Sequence, residues 1–239
     1  MSSEKPLAGK VALITGASRG IGWAVARRLG SMGARVSLCA RDAKTLEAAA
    51  TTLRRENIEV AALPADVRRA EEIAALVAQT RRALGEIDVL VNNAGIGRFG
   101  PAHEISEADW DNVLDTNLKA VFLVSRAVAP DMIRRRTGHI VNIASLAGKN
   151  AFAGGGVYCA SKWGLLGLTY CMAEDLRGYG IRVSAICPGS VATEFSPHAG
   201  KDESKMLQPE DVAHAVAMVL TEAPQSFISE VLLRPTQKP

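Results

Sequence analysis

The segment KVALITGASRGIG, residues 10–22, places a short apolar run directly before a cluster of glycines. Residues 10–16 are typical of a buried strand, and residues 20–33 are typical of a helix that ends at Gly33. Gly16, Gly20 and Gly22 allow a tight turn between the two and a close approach of the backbone to a ligand. The segment therefore predicts the first strand and first helix of an α/β fold.

The same alternation of apolar runs and helical patterns continues to the end of the chain. Strands are predicted at 10–16, 34–41, 58–67, 87–95, 138–145, 181–189 and 226–235, and helices at 20–33, 42–57, 69–85, 106–136, 157–178 and 208–221. Near-continuous apolar strands that alternate with helices indicate a parallel sheet covered on both faces. We expect a Rossmann-type α/β fold with a doubly wound parallel seven-stranded sheet flanked by helices on both faces.

One domain, 1–239, is the simplest organisation, since the chain has no repeat or linker that would divide it. The least regular segment, about 189–207, follows a predicted strand end, where ligands bind in such folds. It is interpreted either as a flap over a site or as an ordinary solvated loop.

Composition excludes several classes of function. Of 239 residues, 48% are hydrophobic, 22% are charged and 5% are aromatic, and the net charge is +3. So small a basic excess favours neither nucleic acid nor an anionic membrane as a partner, and so few aromatics do not indicate base stacking.

The cysteines and the N-terminus indicate the compartment. Cys39, Cys159, Cys171 and Cys187 form no C-x-x-C pair and lie among apolar or small residues, which predicts buried, reduced thiols. The N-terminal stretch has no apolar signal region, and no apolar run reaches the roughly 18 residues of a membrane span. We therefore expect a cytoplasmic protein. We also expect no bound metal, because the sequence has no His/Cys/carboxylate cluster.

The glycine turn has the spacing T-G-x-x-x-G-x-G, with Thr15 closing the strand. A helix that starts at such a turn offers free N–H groups and the positive end of its dipole to a pyrophosphate. This predicts a dinucleotide site at the first strand–helix turn.

The end of the second strand indicates which dinucleotide binds. An acidic residue there accepts a hydrogen bond from the 2′-hydroxyl of NAD, whereas this chain has Ala40 followed by Arg41. Arg41, with Arg19 in the glycine turn, would pair with the 2′-phosphate of NADP(H). Alternatively, both arginines are solvated and Asp42 takes the acid's role.

The sequence YCASK, residues 158–162, places Tyr158 and Lys162 on the same face of a predicted helix. A nearby ammonium lowers the pKa of a phenol, so the pair is a candidate proton donor and acceptor near neutral pH. The alternative is a half-buried packing tyrosine beside a solvated lysine.

Six motifs resemble, in order, those of the short-chain dehydrogenase/reductase family in its compact form. They are TGASRGIG (15–22), NNAG (92–95), Asn117, Ser145, YCASK (158–162) and PG (188–189). The resemblance spans nearly the whole chain and implies an oxidoreductase that transfers a hydride between NADP(H) and a ketone or secondary alcohol.

The resemblance also implies the catalytic roles. Tyr158 would be the general acid for the carbonyl oxygen, and Lys162 would lower the pKa of Tyr158 and hold the nicotinamide ribose. Ser145 would stabilise the developing oxyanion. Asn117 would bind a water that links Lys162 to a proton relay.

The cofactor contacts implied by the resemblance lie on successive strand ends. The phosphate loop would contain Ser18, Arg19 and Ile21, and the adenine would contact Asp66 and Val67. The adenosine side of the cofactor would lie along Asn93, Ala94 and Gly95. The nicotinamide end would be held by Pro188, Gly189, Val191 and Thr193. For Asp66, the alternative is a cap on the helix at 69–85.

The substrate is less clearly indicated. The chain resembles 3-oxoacyl-carrier-protein reductases, whose acidic carrier needs a basic surface; residues 134–136 with Arg177 and Arg182 are candidates, unless they only compensate helix dipoles. The C-terminal SFISEVLLRPTQKP, with Glu230 and Arg234, instead resembles NADP-dependent dehydrogenases of small 3-hydroxy acids and related alcohols. Pocket-lining candidates are Leu146, Phe152 and Phe195, while His103 and His198 lie near the pocket or on the surface.

Two further expectations concern the class of protein and its assembly. A non-catalytic NADP(H)-binding regulator or scaffold on the same fold is the alternative function, although such proteins usually lose the tyrosine or the lysine. The helix at 157–178 is apolar on more than one face, which predicts a homotetramer or homodimer.

Overall fold

The computed structural model describes residues 5–195 and 202–238. Seven strands pair in parallel in the order β3-β2-β1-β4-β5-β6-β7. The strands are β1 Val11–Thr15, β2 Arg35–Ala40, β3 Val60–Pro64, β4 Val89–Asn92, β5 Gly138–Ile143, β6 Ile181–Pro188 and β7 Glu230–Leu233. The predicted doubly wound, seven-stranded α/β fold is confirmed.

Helices cover both faces of this sheet. They are α1 Gly20–Ser31, α2 Ala43–Arg55, α3 Ala70–Leu84, α4 Glu107–Leu114, α5 Ala120–Arg135, α6 Gly156–Arg177 and α7 Pro209–Leu220. Successive β1 residues point to opposite faces. Ile14 packs in a core cluster with α1, α2 and α7, and Leu13 packs in a cluster with α3, α5 and the end of α6. Both faces are covered, which explains why most strand residues are apolar.

The predicted helix 106–136 is one continuous path with a change of geometry inside it. Ser106 caps α4 by accepting a hydrogen bond from the Asp109 N–H at 3.1 Å, and a π-helical segment, Asp115–Lys119, joins α4 to α5. The extra residue of a π turn leaves the apolar pattern almost unchanged, so the sequence did not reveal it. Such segments are frequent at functional sites.

Three other predictions need correction. The strands predicted at 58–67 and 226–235 are shorter, Val60–Pro64 and Glu230–Leu233, because apolar residues beyond them pack in loops. Of the four thiols predicted to be buried, Cys171 is exposed, since it lies on the outward side of α6.

After β6, Val191 bridges to Leu207, while residues 196–201 of the predicted flap, with His198, lie outside the described residues.

Replacing Gly22 by alanine is expected to destabilise the fold. A Cβ there would lie 2.4 Å from the Gly16 carbonyl oxygen and 2.5 Å from Asn93 Nδ2. Overpacking of this kind costs about 1–3 kcal/mol, which urea unfolding measures. Gly167→Ala is the matched control: nothing lies within 4 Å of its Cβ position in α6, so it should gain up to about 1 kcal/mol from helix propensity. Equal effects of the two substitutions would contradict the close contact at Gly22.

His139 on β5 is expected to make the protein sensitive to acid. Its ring is buried, its Nε2 hydrogen-bonds Ser184 Oγ at 2.8 Å, and burial, with the charge of Arg182, lowers its pKa to about 3. Between about pH 6.5 and 3 the unfolded histidine therefore binds a proton that the folded one does not. Stability falls as the pH falls through this range, by at most about 1.4 kcal/mol per pH unit.

The measurement compares unfolding free energies of the native protein and His139→Gln at pH 7 and pH 5, so that contributions from other groups cancel. The native protein should lose more stability than the variant between the two pH values. If the unfolding free energy of His139→Gln fell with pH as steeply as that of the native protein, His139 would not be the cause of the acid sensitivity.

Candidate active site

The strand order reverses between β1 and β4. The connections that leave the carboxyl ends of these two neighbouring strands therefore run in opposite directions along the sheet. Ligands bind in the crevice that such a reversal leaves. Thr15 and Asn93 join its two walls: the Thr15 hydroxyl accepts from the N–H groups of Asn93 and Ala94 at 3.0 and 3.1 Å. Asn93 Nδ2 in turn donates to the Thr15 and Gly16 carbonyls, both at 3.0 Å. The Asn93 side chain thus braces the glycine turn.

The glycine turn has the geometry that its sequence predicted. Gly16 and Gly20 adopt φ values of 65° and 55°, which favour glycine. Helix α1 starts at Gly20, and its N-cap residue, Arg19, makes no side-chain cap hydrogen bond. By contrast, α2 is capped by Asp42, whose carboxylate accepts from the Thr45 N–H at 2.7 Å. The start of α1 therefore retains backbone donors and a positive dipole end suited to a phosphate.

The end of β2 presents a cation rather than an acid. Ala40 is the last strand residue, Arg41 is exposed, and the Asp42 carboxylate is committed to the cap of α2. Arg19 forms an exposed ion pair with Glu194. Of the two candidate arginines, Arg41 is thus the one without an ion-pair partner in the described part of the chain.

Asp66 and Val67 follow β3 at the same edge of the sheet. The Asp66 carboxylate accepts from Arg68, which holds the pKa of that carboxyl below its usual value. Helix α3 has Arg69 as its N-cap residue, without a side-chain cap bond, so the alternative interpretation of Asp66 as the cap is wrong. Val67 is buried beside it.

Ser145, Tyr158 and Lys162 meet at the carboxyl end of β5. Ser145 Oγ accepts from the Ala147 N–H at 3.1 Å, and the Ser145 side chain is near enough to Tyr158 to lower the pKa of its phenol. One turn along α6, Lys162 Nζ donates to the Ile143 carbonyl at 2.9 Å and lies 5.9 Å from the centre of the Tyr158 ring. A hydroxyl pair beside a buried ammonium can exchange a proton with a bound oxygen atom.

The expected lowering of the Tyr158 pKa is not observed. Burial raises the pKa of Tyr158 to about 12, against a smaller lowering by Ser145, and burial lowers the pKa of Lys162 to about 8. The ammonium is directed at the Ile143 carbonyl rather than at the phenol oxygen, and the cost of burying a charge exceeds its effect. Tyr158 is therefore a protonated donor at neutral pH.

Asn117 lies in the π-helical segment and is completely buried. Its Oδ1 accepts from the Ile96 N–H at 2.8 Å, and its Nδ2 donates to the Ile96 carbonyl at 2.9 Å and to Ser161 Oγ at 3.0 Å. Both amide protons are used, so this side chain joins the loop after β4 to α6. Any water that Asn117 binds would have to use its remaining acceptor capacity or its main chain.

The segment after β6 lies close to the glycine turn. Pro188 ends the strand, and Gly189 N–H donates to the Leu233 carbonyl at 2.9 Å. The Thr193 methyl carbon lies 3.4 Å from the Cβ position of Gly20. The predicted nicotinamide-end residues, Pro188, Gly189, Val191 and Thr193, thus border the same crevice as the predicted phosphate loop.

Two features beside the site were missed from the sequence. Phe99 packs edge-on against Tyr158, with 5.5 Å between ring centres, and no motif marked it. Glu230 accepts hydrogen bonds from Lys149 at 2.9 Å, from Tyr170 at 3.0 Å and from the buried Cys187 thiol at 3.4 Å. In the sequence, Glu230 is marked only by its place in the C-terminal segment, because the sequence cannot show which side chains the fold brings to it.

The candidate basic surface lies far from this site. Arg136, Arg177 and Arg182 line a cavity of about 780 Å³ at the amino ends of β4, β5 and β6. Along β6, Arg182 is separated from Pro188 by about 20 Å, at roughly 3.3 Å per residue. Helix α5 ends beside Arg136 and helix α6 ends at Arg177, so compensation of helix dipoles explains these two, while Arg182 donates to the Glu222 and Ser226 carbonyls, both at 3.4 Å.

In 5–195 and 202–238, no three His, Cys, Asp or Glu side chains are grouped so that they could hold a metal ion. Over the same ranges, no helix combines the length and apolar character that a membrane crossing requires.

A doubly wound sheet with a glycine turn at the reversal and a Ser–Tyr–Lys cluster beside it defines a nucleotide-dependent oxidoreductase. A sequence model described as short chain dehydrogenase matches residues 10–204, and the chain belongs to that family. The predicted family and enzyme class, a dehydrogenase/reductase acting on CH–OH and C=O groups, are confirmed.

Individual relatives agree with this assignment. The chain is 35% identical to dehydrogenase/reductase SDR family member 4 of Oryctolagus cuniculus, over 98% of this chain and 95% of the relative. It is 45% identical to a putative ketoacyl reductase of Streptomyces coelicolor, over 78% and 72% of the two chains. A metagenomic short-chain oxidoreductase solved in complex with NADP is 48% identical, with a TM-score of 0.87 over 98% and 100% of the two chains.

Proposed function

We propose that this protein transfers a hydride between NADP(H) and a ketone or secondary alcohol, with Tyr158 as the general acid and base. The observation that carries the proposal is the group of Ser145, Tyr158 and the buried Lys162, at the carboxyl edge of the sheet that also holds the glycine turn. NADPH, when bound, supplies the hydride that reduces the carbonyl carbon.

Tyr158, Ser145 and Lys162 have different roles in the proton transfer and in the stabilisation of charge. Tyr158 donates its proton to the carbonyl oxygen as negative charge develops there, and Ser145 donates a hydrogen bond to the same oxygen. Lys162 places a positive charge near the ring, favours the phenolate once the proton has left, and would bind the ribose hydroxyls. Asn117 keeps the loop at Ile96 in contact with α6 through its two backbone bonds and Ser161.

The crevice would hold each part of NADP(H) with a different group of residues. The uncapped start of α1 would hold the pyrophosphate with Ser18, Arg19 and Ile21, and the exposed Arg41 would pair with the 2′-phosphate. Asp66 and Val67 would border the adenine, and Asn93, Ala94 and Gly95 the adenosine side. Residues 188–193 would hold the nicotinamide end. The structural relatives solved with NADP or NADPH support this choice of cofactor.

For the substrate, 3-oxoacyl groups and small 3-oxo or 3-hydroxy compounds are the first candidates, supported by the similarity of the chain to two putative ketoacyl reductases of Streptomyces. The basic cluster does not favour docking of an acidic carrier at the site, since it lies at the opposite edge of the sheet. Free or coenzyme-linked substrates are therefore preferred over carrier-linked ones.

The decisive experiment follows NADPH oxidation, by nicotinamide absorbance, over acetoacetyl thioesters, small ketones and aldehydes, with NADH in parallel. Turnover of a carbonyl compound is expected. NADPH binding without turnover of any carbonyl would instead favour the alternative function, a non-catalytic NADP(H)-binding regulator or scaffold.

We further propose that the protein works as a homotetramer or homodimer in the cytoplasm. Trp163 and Tyr170 of α6 and Leu232 of β7 are exposed apolar or aromatic residues that a second copy would cover. Light scattering measures the oligomeric state, and a monomer at micromolar concentration would contradict the proposal.

A further inference from the structure

Three phenylalanines form a continuous aromatic wall with the proposed acid. The ring centre of Phe99 lies 5.5 Å from that of Tyr158 and 6.2 Å from that of Phe152, and the ring centre of Phe195 lies 5.7 Å from that of Tyr158. We call Phe99, Phe152 and Phe195 the aromatic wall. They come from three separate loops, so the fold and not the local sequence brings them together.

The wall is exposed where a substrate would approach. Phe99, Phe152 and Phe195 are 42%, 49% and 42% exposed, while the Tyr158 side chain that Phe99 and Phe195 contact is buried. Single exposed apolar residues are common, but three adjacent rings around a buried polar tip are the composition of a small-molecule pocket. The wall therefore presents aromatic surface directly beside the hydroxyl that would bind the substrate oxygen.

Glycines allow the rings to lie against the backbone. A Cβ on Gly97 would come within 2.7 Å of the Phe99 ring and 3.2 Å of the Phe195 ring. A Cβ on Gly155 would come within 2.7 Å of the Phe152 ring. Any larger residue at these two positions would push the rings away, so the geometry of the wall depends on the backbone beneath it.

The charged side chains beside the wall are already paired. Arg98, next to Phe99, donates to Asp109 at 2.8 Å, and Glu194, next to Phe195, pairs with Arg19. A substrate carboxylate would have to compete for Arg98 with Asp109. The wall thus favours a neutral, flat group over a charged one at the position next to the carbonyl.

We propose that the aromatic wall binds an aryl group attached to the carbonyl carbon, so that among the ketones and alcohols of the proposed function, 3-oxo compounds included, those with an aryl substituent on this carbon are preferred. This inference rests on the proposed function. In the reduction, NADPH gives a hydride to the carbonyl carbon, Tyr158 gives a proton to the oxygen, and the products are the 1-aryl alcohol and NADP⁺. Edge-to-face and offset contacts with the wall stabilise the bound aryl ring.

The first test compares three substrates of the native protein: acetophenone, cyclohexyl methyl ketone and 2-butanone. Acetophenone and cyclohexyl methyl ketone share a six-membered ring, but only the first is flat and aromatic. The expected kcat/KM for acetophenone is at least about tenfold above that for either other ketone, as expected for one or two aromatic contacts. Equal values for the two ring ketones would overturn aryl selectivity.

The second test replaces wall residues by an aliphatic residue of similar size. Phe99→Leu and Phe152→Leu should each lower the ratio of kcat/KM for acetophenone to that for 2-butanone by about three- to tenfold. The control is Phe122→Leu: Phe122 is 44% exposed on α5, lies over Arg126 and is outside the wall, so its ratio should stay native. An unchanged ratio in both wall variants would overturn the inference.

The two proposals fail in different ways. If NADPH is oxidised by none of the three ketones or the acyl thioesters, the proposed function fails and the wall has no substrate to select. If 2-butanone is reduced and acetophenone is no better, hydride transfer stands and only the assignment of the aryl substrate class is wrong.

Discussion

Tyr158→Phe is expected to lose about 10²–10⁴-fold in kcat/KM for carbonyl reduction, the range that a positioned general acid contributes. The substitution removes only the phenol hydroxyl, whose pKa the nearby Ser145 side chain lowers. The ring remains, with its contacts to Phe99 and Phe195, so the fold and the shape of the pocket should persist. Steady-state rates with NADPH, together with the Kd for NADPH by fluorescence titration, measure the effect, and the Kd should stay within about threefold of native.

Tyr179→Phe provides the control, because Tyr179 is an exposed tyrosine just beyond the end of α6 and loses the same atom. Its turnover should be native. If Tyr158→Phe also turned over at the native rate, Tyr158 would not be the acid, and another donor to the carbonyl oxygen would have to be found. If Tyr158→Phe bound NADPH poorly, its hydroxyl would act in cofactor binding as well.

The pKa values in the site define which form of the enzyme is ready to react. A pKa of about 12 for Tyr158 means that the proton to be donated is present throughout the neutral range. A pKa of about 8 for Lys162 leaves the ammonium charged at neutral pH. The sequence predicted that these residues share a helix face, but it could not show that burial outweighs their attraction. That balance depends on how deeply the helix is packed.

The parts of the site that the sequence predicted correctly are those encoded by local pattern. The glycine turn was recognised because Gly16 and Gly20 need positive φ and because the turn joins a strand to a helix. The reversal of strand order follows from alternating strands and helices with right-handed crossovers. Each of these depends on a few neighbouring residues or on a general rule of connection.

The parts that were missed depend on contacts between distant segments. Phe99 meets Tyr158 across 59 residues of chain, and Glu194 takes Arg19 as an ion-pair partner across 175. The π-helical segment leaves the apolar pattern of its helix intact while it places Asn117 against Ile96 and Ser161. Neither periodicity nor composition contains information about such pairings.

Arg41→Ala is expected to raise the Kd for NADPH about 10- to 100-fold while changing the Kd for NADH less than about threefold. The expected loss corresponds to charge-assisted hydrogen bonds between a guanidinium and the 2′-phosphate, which NADH lacks. Arg41 is exposed at the carboxyl end of β2 and, among the described residues, has no ion-pair partner to give up. The two Kd values are measured by nicotinamide fluorescence at one fixed ionic strength, because salt screens such contacts.

Arg55→Ala is the matched control. Arg55 is also exposed, but it lies at the other end of the 13-residue helix α2, about 20 Å away at 1.5 Å per residue. It should leave both Kd values native. Arg19→Ala should have a smaller effect than Arg41→Ala, because Arg19 must first leave Glu194 before it can pair with a phosphate.

The Arg41→Ala result also distinguishes the two interpretations of the end of β2, in which either Arg41 binds the 2′-phosphate of NADP(H) or Asp42 binds the ribose of NAD. If Asp42 accepted a hydrogen bond from the ribose of NAD, its carboxylate would have to leave the Thr45 N–H that it caps at 2.7 Å. That exchange would expose a helix start at a cost of about 0.5–2 kcal/mol. Arg41→Ala would then weaken both cofactors equally, or improve NADH by removing a competing cation. A selective loss of NADPH binding is expected instead, since the cap already uses the acid and only the guanidinium is free to meet the cofactor.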